Sequence, residues 1–508
     1  MKYVILLFVV VLISCSETKI GTEDVVFKVS EKEQNDTINE TTIIHDSLYV
    51  HLNILEQEKL DSIKKLAFTN LDNPFMNSES KKWVKGNITF KGTKYDAQIK
   101  FHGTSIKHYQ DNKYSYSIKW EDSLGVNFIK LIKSEEAFPA IAAINQIALN
   151  NKLISSSGSM RIGIINGLNQ GVYYLVEPLK HNNVKRNFKH EKFAILSHFS
   201  DWSRKERNGK FPSHWSKNDL FTGHIENNEN PLFPKALHHY KLLSEEIIKK
   251  NIGNLKAKVD IDYMGNYLAL ALIFNDVHFM SGDNLKLLYD FEQDKFYPLF
   301  RIESEGIPFE SFLDTNFIEL NRFLFHSQGE HYSKAPFLQF FALLISDTEF
   351  RIKRDKYLYH FLNNKENIIR EIENIHHNNS AVMNLIEEDK RYIHLNRAKR
   401  QKHIVKTAFS LISKYLNYAH IYCTYDKSKK QLSFNADSFC PIDVYYNDKL
   451  LLANHSGINF TEDLKLIQSN KELKIGVNHF NEKKVMFINS ITKDTIKQHV
   501  YVNFIDSN

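Results

Sequence analysis

The feature that most limits what this chain can fold into is a hydrophobic period that changes twice along its length. From Trp83 to Glu177, apolar and polar residues alternate in short runs, which is the period of half-buried strands. The first runs are Trp83 to Phe90, Tyr95 to Phe101, Tyr114 to Trp120 and Phe128 to Ile132, with Lys91-Gly92-Thr93 as a turn signal. Together they read as a small antiparallel sheet. Phe138 to Asn150 then carries Ile141, Ile144, Ile147 and Ala148 at helical spacing, with Pro139 suited to a first turn. Two further strands, Ser159 to Ile165 and Gly171 to Glu177, flank Asn166-Gly167, a strong hairpin signal. Upstream, Ile43 to Lys65 reads as a strand followed by a short helix.

Beyond a basic, loop-like stretch the period becomes helical, in Lys235 to Lys250, in Tyr263 to Phe274 and in several segments between Ala335 and Tyr418. From Gln431 to Phe504 short alternating strands return, with turns at Asn447-Asp448 and Ser456-Gly457. That tail reads as a small all-β module of the sandwich type. The expected order is therefore a strand-rich lobe, a helical lobe and a β appendage.

The N-terminus carries a different message. Met1-Lys2 precede an apolar run from Val4 to Ile13, which is too short for the roughly twenty residues of a membrane-spanning helix. It has the form of a signal-peptide core. The following Leu12-Ile13-Ser14-Cys15 resembles a bacterial lipobox, which implies acylation of Cys15 and cleavage before it. Several acyl chains give stable anchoring, at about 0.8 kcal/mol per buried methylene. Residues 1–14 are thus expected to be a signal peptide. Residues 15–42, rich in Glu, Lys, Thr and Asn, are expected to form a flexible tether. The protein is expected in the bacterial cell envelope, extracytoplasmic and lipid-anchored.

At 508 residues, with 42% apolar and 13% aromatic residues, the chain has material for a real core and length for two or three domains. The net charge of +6 is mild, but basic residues cluster between Lys180 and Lys217, either as a solvated loop face or against an acidic partner. Aromatic residues do not interleave with a basic stripe, which argues against nucleic acid. No Cys-x-x-Cys, Gly-x-Ser-x-Gly or Walker-type glycine loop occurs. His238-His239 and His376-His377 are adjacent pairs, which point to different faces of a helix and seldom chelate together. Apart from Cys15, only Cys423 and Cys440 remain, able to pair in an oxidising compartment if their geometry allows.

Three runs carry a resemblance: Tyr95 to Gly103 with Lys113 to Lys119; Ile164 to Glu177; and Asn275-Asp276 with Asn284 to Tyr289 and Phe296 to Leu299. They resemble the spore coat protein H (CotH) kinase family over about residues 83–420. The strand of form N-G-x-x-x-G-x-Y-x-L-x-E that ends at Glu177 is the most distinctive piece. The resemblance implies an α+β fold with an atypical protein-kinase-like two-lobe core over residues 43–425, followed by the β-sandwich-like module at 430–508. It also implies ATP and Mg²⁺ or Mn²⁺ as cofactors, and phosphoryl transfer to a protein hydroxyl.

On that resemblance Asp276 is the catalytic carboxylate. Lys113 reaches the nucleotide phosphates, Glu177 orders the hinge or pairs with a cation, and Asp283 and Asn284 supply oxygen to the metal. One segment departs from the family pattern. Where it closes with W-D-x-D, this chain reads Phe300-Arg301-Ile302-Glu303. A guanidinium has no acceptor for a metal. Two readings stay open. In one the site is rebuilt, with Glu303 and Asp283 on one metal and Arg301 against phosphate. In the other the protein is a pseudokinase, a surface binding or structural lipoprotein with a protein or surface partner.

Overall fold

A computed structural model describes residues 47–67, 81–103, 108, 113–123, 125–133, 138–188, 191–198, 223–225, 232–275, 285–301, 336–379, 382, 397–460, 466–468, 472–476, 480–497 and 499–505. Seven strands of the first half close on themselves. They are β1 (Ser47–His51), β2 (Val84–Phe90), β3 (Thr93–Phe101), β4 (Tyr116–Asp122), β5 (Gly125–Lys133), β6 (Ser157–Ile165) and β7 (Leu168–Glu177). Their order round the barrel is β1-β2-β3-β4-β5-β7-β6. Every neighbouring pair is antiparallel except β1 and β6, which run parallel from Ser47 opposite Ile162 to Val50 opposite Ile165.

That closure corrects the expected fold class. An atypical kinase-like two-lobe core, with an open strand-rich lobe clamped against a helical lobe, is not what this chain forms; its strands make a closed barrel. The physical reason lies in β1. Alternation marks strands and turns mark hairpins, but a short strand that pairs with another more than a hundred residues away leaves no local signal.

The strand period sorts the barrel's two faces. Ile99, Ile118, Ile129 and Leu131 are completely or almost completely buried and share one interior core with Leu48, Val84 and Tyr173. Along β7 the residues alternate between two cores, with Tyr173 and Leu175 inside the barrel and Val172, Tyr174 and Val176 in the helical layer outside. The outward positions of β3 and β4 are largely polar, those of β5 combine Lys130 with Val126 and Phe128, and they become the wall of the site below.

Tight turns set the register. Asn166 and Gly167 between β6 and β7 have φ of 50° and 78°, as do Lys91 and Gly92 between β2 and β3 at 50° and 77°. Both pairs give the positive φ that a two-residue hairpin needs. Asn166 also accepts from Leu52 N at 2.7 Å and donates to Gln57 at 3.0 Å, tying the hairpin to α1 (Ile54–Ala67). At Gly86 a Cβ would lie 2.7 Å from the His51 carbonyl oxygen, where β1 closes on β2. Gly86→Ala is expected to cost about 1–3 kcal/mol by overpacking. Gly476→Ala, with open space around it, is expected to stay within about 0.5 kcal/mol. Chemical denaturation of both variants checks the difference.

Helix α2 (Phe138–Asn150) spans the range its spacing predicts and buries Ala140, Ile141, Ile144, Ile147 and Ala148 against the barrel and the helical layer. After β7 come α3 (His181–Phe188), β8 (Phe193–His198), β9 (Gly223–Ile225), α4 (Phe233–Ile248), α5 (Ile252–Ala257) and α6 (Ile261–Phe274). Next are β10 (Lys286–Asp290) and β11 (Lys295–Pro298), then α7 (Pro336–Ser346), α8 (Thr348–Asn363), α9 (Lys365–Asn378) and α10 (Arg397–Asn417). A second sheet, ordered β11-β10-β8-β9, lies beside the barrel. It is joined there by a parallel bridge between Ser155 and Phe300 and by the Phe300 N–H donating to the Ile154 carbonyl at 2.7 Å. Helix α6 is the centre of the helical layer, buried throughout from Met264 to Phe274. Its start is capped by Asp260, whose side chain accepts from Tyr263 N, and it ends on Asn275 in the left-handed region.

The tail holds β12 (Ala419–Asp426), β13 (Gln431–Ser438), β14 (Ile442–Tyr446), β15 (Lys449–His455), β16 (Ile458–Phe460), β17 (Leu466–Gln468), β18 (Leu473–Gly476), β19 (Val485–Asn489) and β20 (Val500–Ile505). The sheets β18-β13-β12-β20 and β15-β14-β19 share one core of Ile421, Leu432, Phe434, Val444 and Phe487. Cys423 and Cys440 are both buried free thiols, and burial pushes the Cys423 thiol up to about 12. Among the described residues, no helix is long and apolar enough to cross a membrane.

Candidate anion-binding site

Strands β3, β4 and β5 place a row of polar side chains on the outside of the barrel. Their register sets Ser117 opposite Lys100 on one side and opposite Lys130 on the other, and Lys119 opposite Gln98 and Phe128 in the next row. All of these positions are out of phase with the buried Ile99, Ile118 and Ile129, so they share the outer face. His102, just past β3, continues that face, and its Nδ1 lies 3.1 Å from Ser117 Oγ.

This wall lines a cleft of about 940 Å³, completed by Lys180, His181 and Asn182 at the start of α3, by Ile195 of β8 and by Phe233 of α4. Arg301 enters from the chain that follows the bridge at Phe300. The described lining contains Lys81, Lys100, Lys119, Lys130, Lys180 and Arg301, with His102 and His181, and no Asp or Glu. Trp83 also lines it, with Lys100 Nζ 4.4 Å and Lys119 Nζ 4.7 Å from the ring centroid, both within cation–π range.

So many cations in one concavity leave a mark on their own protonation. Burial lowers the Lys100 pKa, and Lys119 and Lys180 lower it further. Burial, then Lys130, His108, Lys81 and Arg301, hold the His102 imidazole well below its ordinary 6.5. His102 is therefore neutral at neutral pH and serves as a donor–acceptor among cations. A histidine depressed in the folded state leaves the unfolded chain to protonate first. Its stability is full above the unfolded value near 6.5 and is lost as pH falls below that value toward the folded one. The melting temperature is expected to fall on acidification from about pH 7.5 to about pH 5.5, with His102→Gln losing part of that slope. Calorimetric melts of both proteins check it.

The residues singled out in the sequence fare differently. Arg301 lines the cleft. Lys113 does not: it is fully buried, donates through Nζ to the Val172 carbonyl at 2.6 Å and lies 4.6 Å from the Tyr173 ring centroid. Glu177 closes β7 and forms an ion pair with Arg186 at 3.4 Å, so the structure places it with a cation of α3. Asp276, Asp283, Asn284, Glu303 and Cys15 lie outside the described residues. Among the described residues, no three His, Cys, Asp or Glu side chains converge as a metal would require. The described part of the cleft is lined by cations, and the residues read as metal ligands lie outside it.

Sequence reasoning missed Lys100, His102, Ser117, Lys119 and Lys130, although their signal was present. They occupy the outward phase of three successive strands, a phase that ordinarily faces water. The comparisons give no independent guide: no family model and no curated protein matches the chain.

Proposed function

We propose that this protein binds a phosphate-bearing ligand of nucleotide size, of which ATP is the one the sequence resemblance implies. The single observation that carries the reading is the concentration of Lys81, Lys100, Lys119, Lys130, Lys180 and Arg301 around one cleft whose described lining has no carboxylate. Lys119 and Lys180 already depress the Lys100 ammonium, a repulsion that a bound polyanion relieves. The cleft is large enough for a nucleotide-sized molecule. Trp83 and Phe128 add apolar surface beside the cations, which suits a ligand with an organic part as well as phosphate.

Together with the lipobox-like segment ending at Cys15, the reading is of a lipid-anchored binding protein of the bacterial cell envelope, working outside the cytoplasm. A second reading, phosphoryl transfer to a protein hydroxyl through Asp276, follows from the CotH resemblance. It is favoured by one observation: Arg301, from the segment where that family carries a metal carboxylate, lines the cleft.

Intrinsic fluorescence tests the binding reading on the full chain in detergent. Phosphate that draws Lys100 and Lys119 off the Trp83 ring changes its emission, so titration with ATP or pyrophosphate is expected to give a saturating signal. In Trp83→Phe that signal is lost. The absence of both signal and retention in equilibrium dialysis overturns the proposal.

A further inference from the structure

We propose that Ser117 is a nucleophile with His102 as its base, and that it takes the terminal phosphoryl group of a nucleoside triphosphate held in the cleft. The inference rests on the phosphate-binding reading of the same site. Three observations carry it. Ser117 Oγ and His102 Nδ1 are 3.1 Å apart and both residues line the cleft, so the pair faces the space where ligand would sit. With the imidazole proton on Nε2, the hydroxyl donates to Nδ1, which is the arrangement an activated serine needs.

The second observation is the strand register. Ser117 faces Lys100 on β3 and Lys130 on β5, and directly opposite residues of a sheet hold their Cβ atoms about 4.5–5.5 Å apart. The hydroxyl is therefore flanked on both sides by ammonium-bearing chains, with Lys119 two residues along the same face. Cations placed there stabilise the charge on the equatorial oxygens of a phosphoryl group in transfer.

The third is a contrast within the same strand region. Ser115 and His108 form a matching pair at 3.0 Å, but Ser115 is fully buried and its Oγ also accepts from Lys133 N at 2.8 Å. That hydroxyl is used in holding the sheet together. Ser117, one pleat further on, is part of the cleft wall instead. Burial first and then the surrounding cations keep His102 neutral, so Nδ1 is open as an acceptor, and phosphate bound among those cations offsets them and raises its basicity.

In the step, an Oγ lone pair of Ser117 forms a bond to the terminal phosphorus. The bond from that phosphorus to the bridging oxygen breaks, and its electron pair leaves on the nucleoside diphosphate. The Oγ proton passes to His102 Nδ1. The product is phosphoserine at residue 117 and one nucleoside diphosphate.

The test incubates the full chain in detergent with terminally labelled ATP and Mg²⁺, and measures nucleotide binding in parallel by equilibrium dialysis. Wild type is expected to bind and to gain acid-stable label that mass spectrometry places on Ser117. Ser117→Ala is expected to bind and stay unlabelled, and His102→Gln to bind but label on the order of 10²-fold more slowly. Binding without label, label that persists in Ser117→Ala, or acid-labile label that marks a histidine acceptor each overturns the inference and leaves the binding reading intact. Absence of binding removes both.

Discussion

Asp355→Asn is expected to destabilise the helical layer by about 3–5 kcal/mol, the largest single-site effect on stability in this protein. Arg354, Asp355 and Tyr415 are all completely buried and form a closed ring of contacts. Arg354 Nε donates to Asp355 Oδ1 at 2.9 Å and its Nη2 donates to Tyr415 Oη at 2.8 Å, while Tyr415 Oη donates to Asp355 Oδ2 at 2.8 Å. The ring ties α8 to α10. One turn back on α8, Arg351 is also buried and reaches the Ile345 and Ser346 carbonyls, Thr348 and, at 3.3 Å, Ser456 of the tail. Removing the Asp355 charge leaves two guanidinium groups in a low-dielectric interior, and arginine cannot escape by losing its proton. Replacing the pair together, as Arg354→Met with Asp355→Leu, is expected to recover part of the loss, because Arg354 is no longer left unpaired while Arg351 still loses the Asp355 charge. Denaturant midpoints followed by far-ultraviolet circular dichroism check both. A loss under about 1 kcal/mol in the single variant would show that the triad is not what holds α8 to α10.

Lys100→Met combined with Lys119→Met is expected to weaken phosphate-ligand binding by roughly 10²–10⁴-fold, taking about 1.5–3 kcal/mol for each charge-assisted contact. The same change is expected to raise the melting temperature of the ligand-free protein. The sign follows from linkage. Burial, Lys119 and Lys180 depress Lys100 below its ordinary value of 10.5 in the folded state, so below that range its charge favours the unfolded chain. Removing it relieves the fold. A variant that melts higher and binds worse cannot be explained by damage to the structure, because damage lowers both. That opposition of stability and function is what a binding site built from like charges should show. Differential scanning calorimetry with and without ATP reads both effects in one experiment.

Much of the local structure was legible in the residues. Asn166-Gly167 marks the β6–β7 hairpin, and the spacing of Ile141, Ile144 and Ile147 marks α2, because turn chemistry and helical period act over a few residues. The barrel was not legible. Its closure depends on Ser47 to Val50 lying parallel to Ile162 to Ile165, a pairing that no local pattern encodes. The four strands from β2 to β5 look the same in sequence whether the sheet is open or closed.

The site was hidden for a related reason. Lys100, Ser117 and Lys130 come from three strands and meet only through register, whereas the sequence drew attention to the contiguous basic run after Lys180. Of that run, Lys180 reaches the cleft, while Arg186 is engaged with Asn127, Asn183 and Glu177. Lys113 shows the converse error of emphasis. The family resemblance gave it a phosphate contact, but with neighbours Tyr173 and the Val172 carbonyl it is a buried cation beside a ring and a backbone oxygen.

The measurement that tests the central claim most directly is a calorimetric titration of ATP into the full chain at low and at high salt. The account predicts saturable binding at one site, with affinity that falls as added salt screens the partly exposed lysines of the cleft. No binding at low salt would contradict it, as would binding that the Lys100→Met and Lys119→Met double variant leaves unchanged.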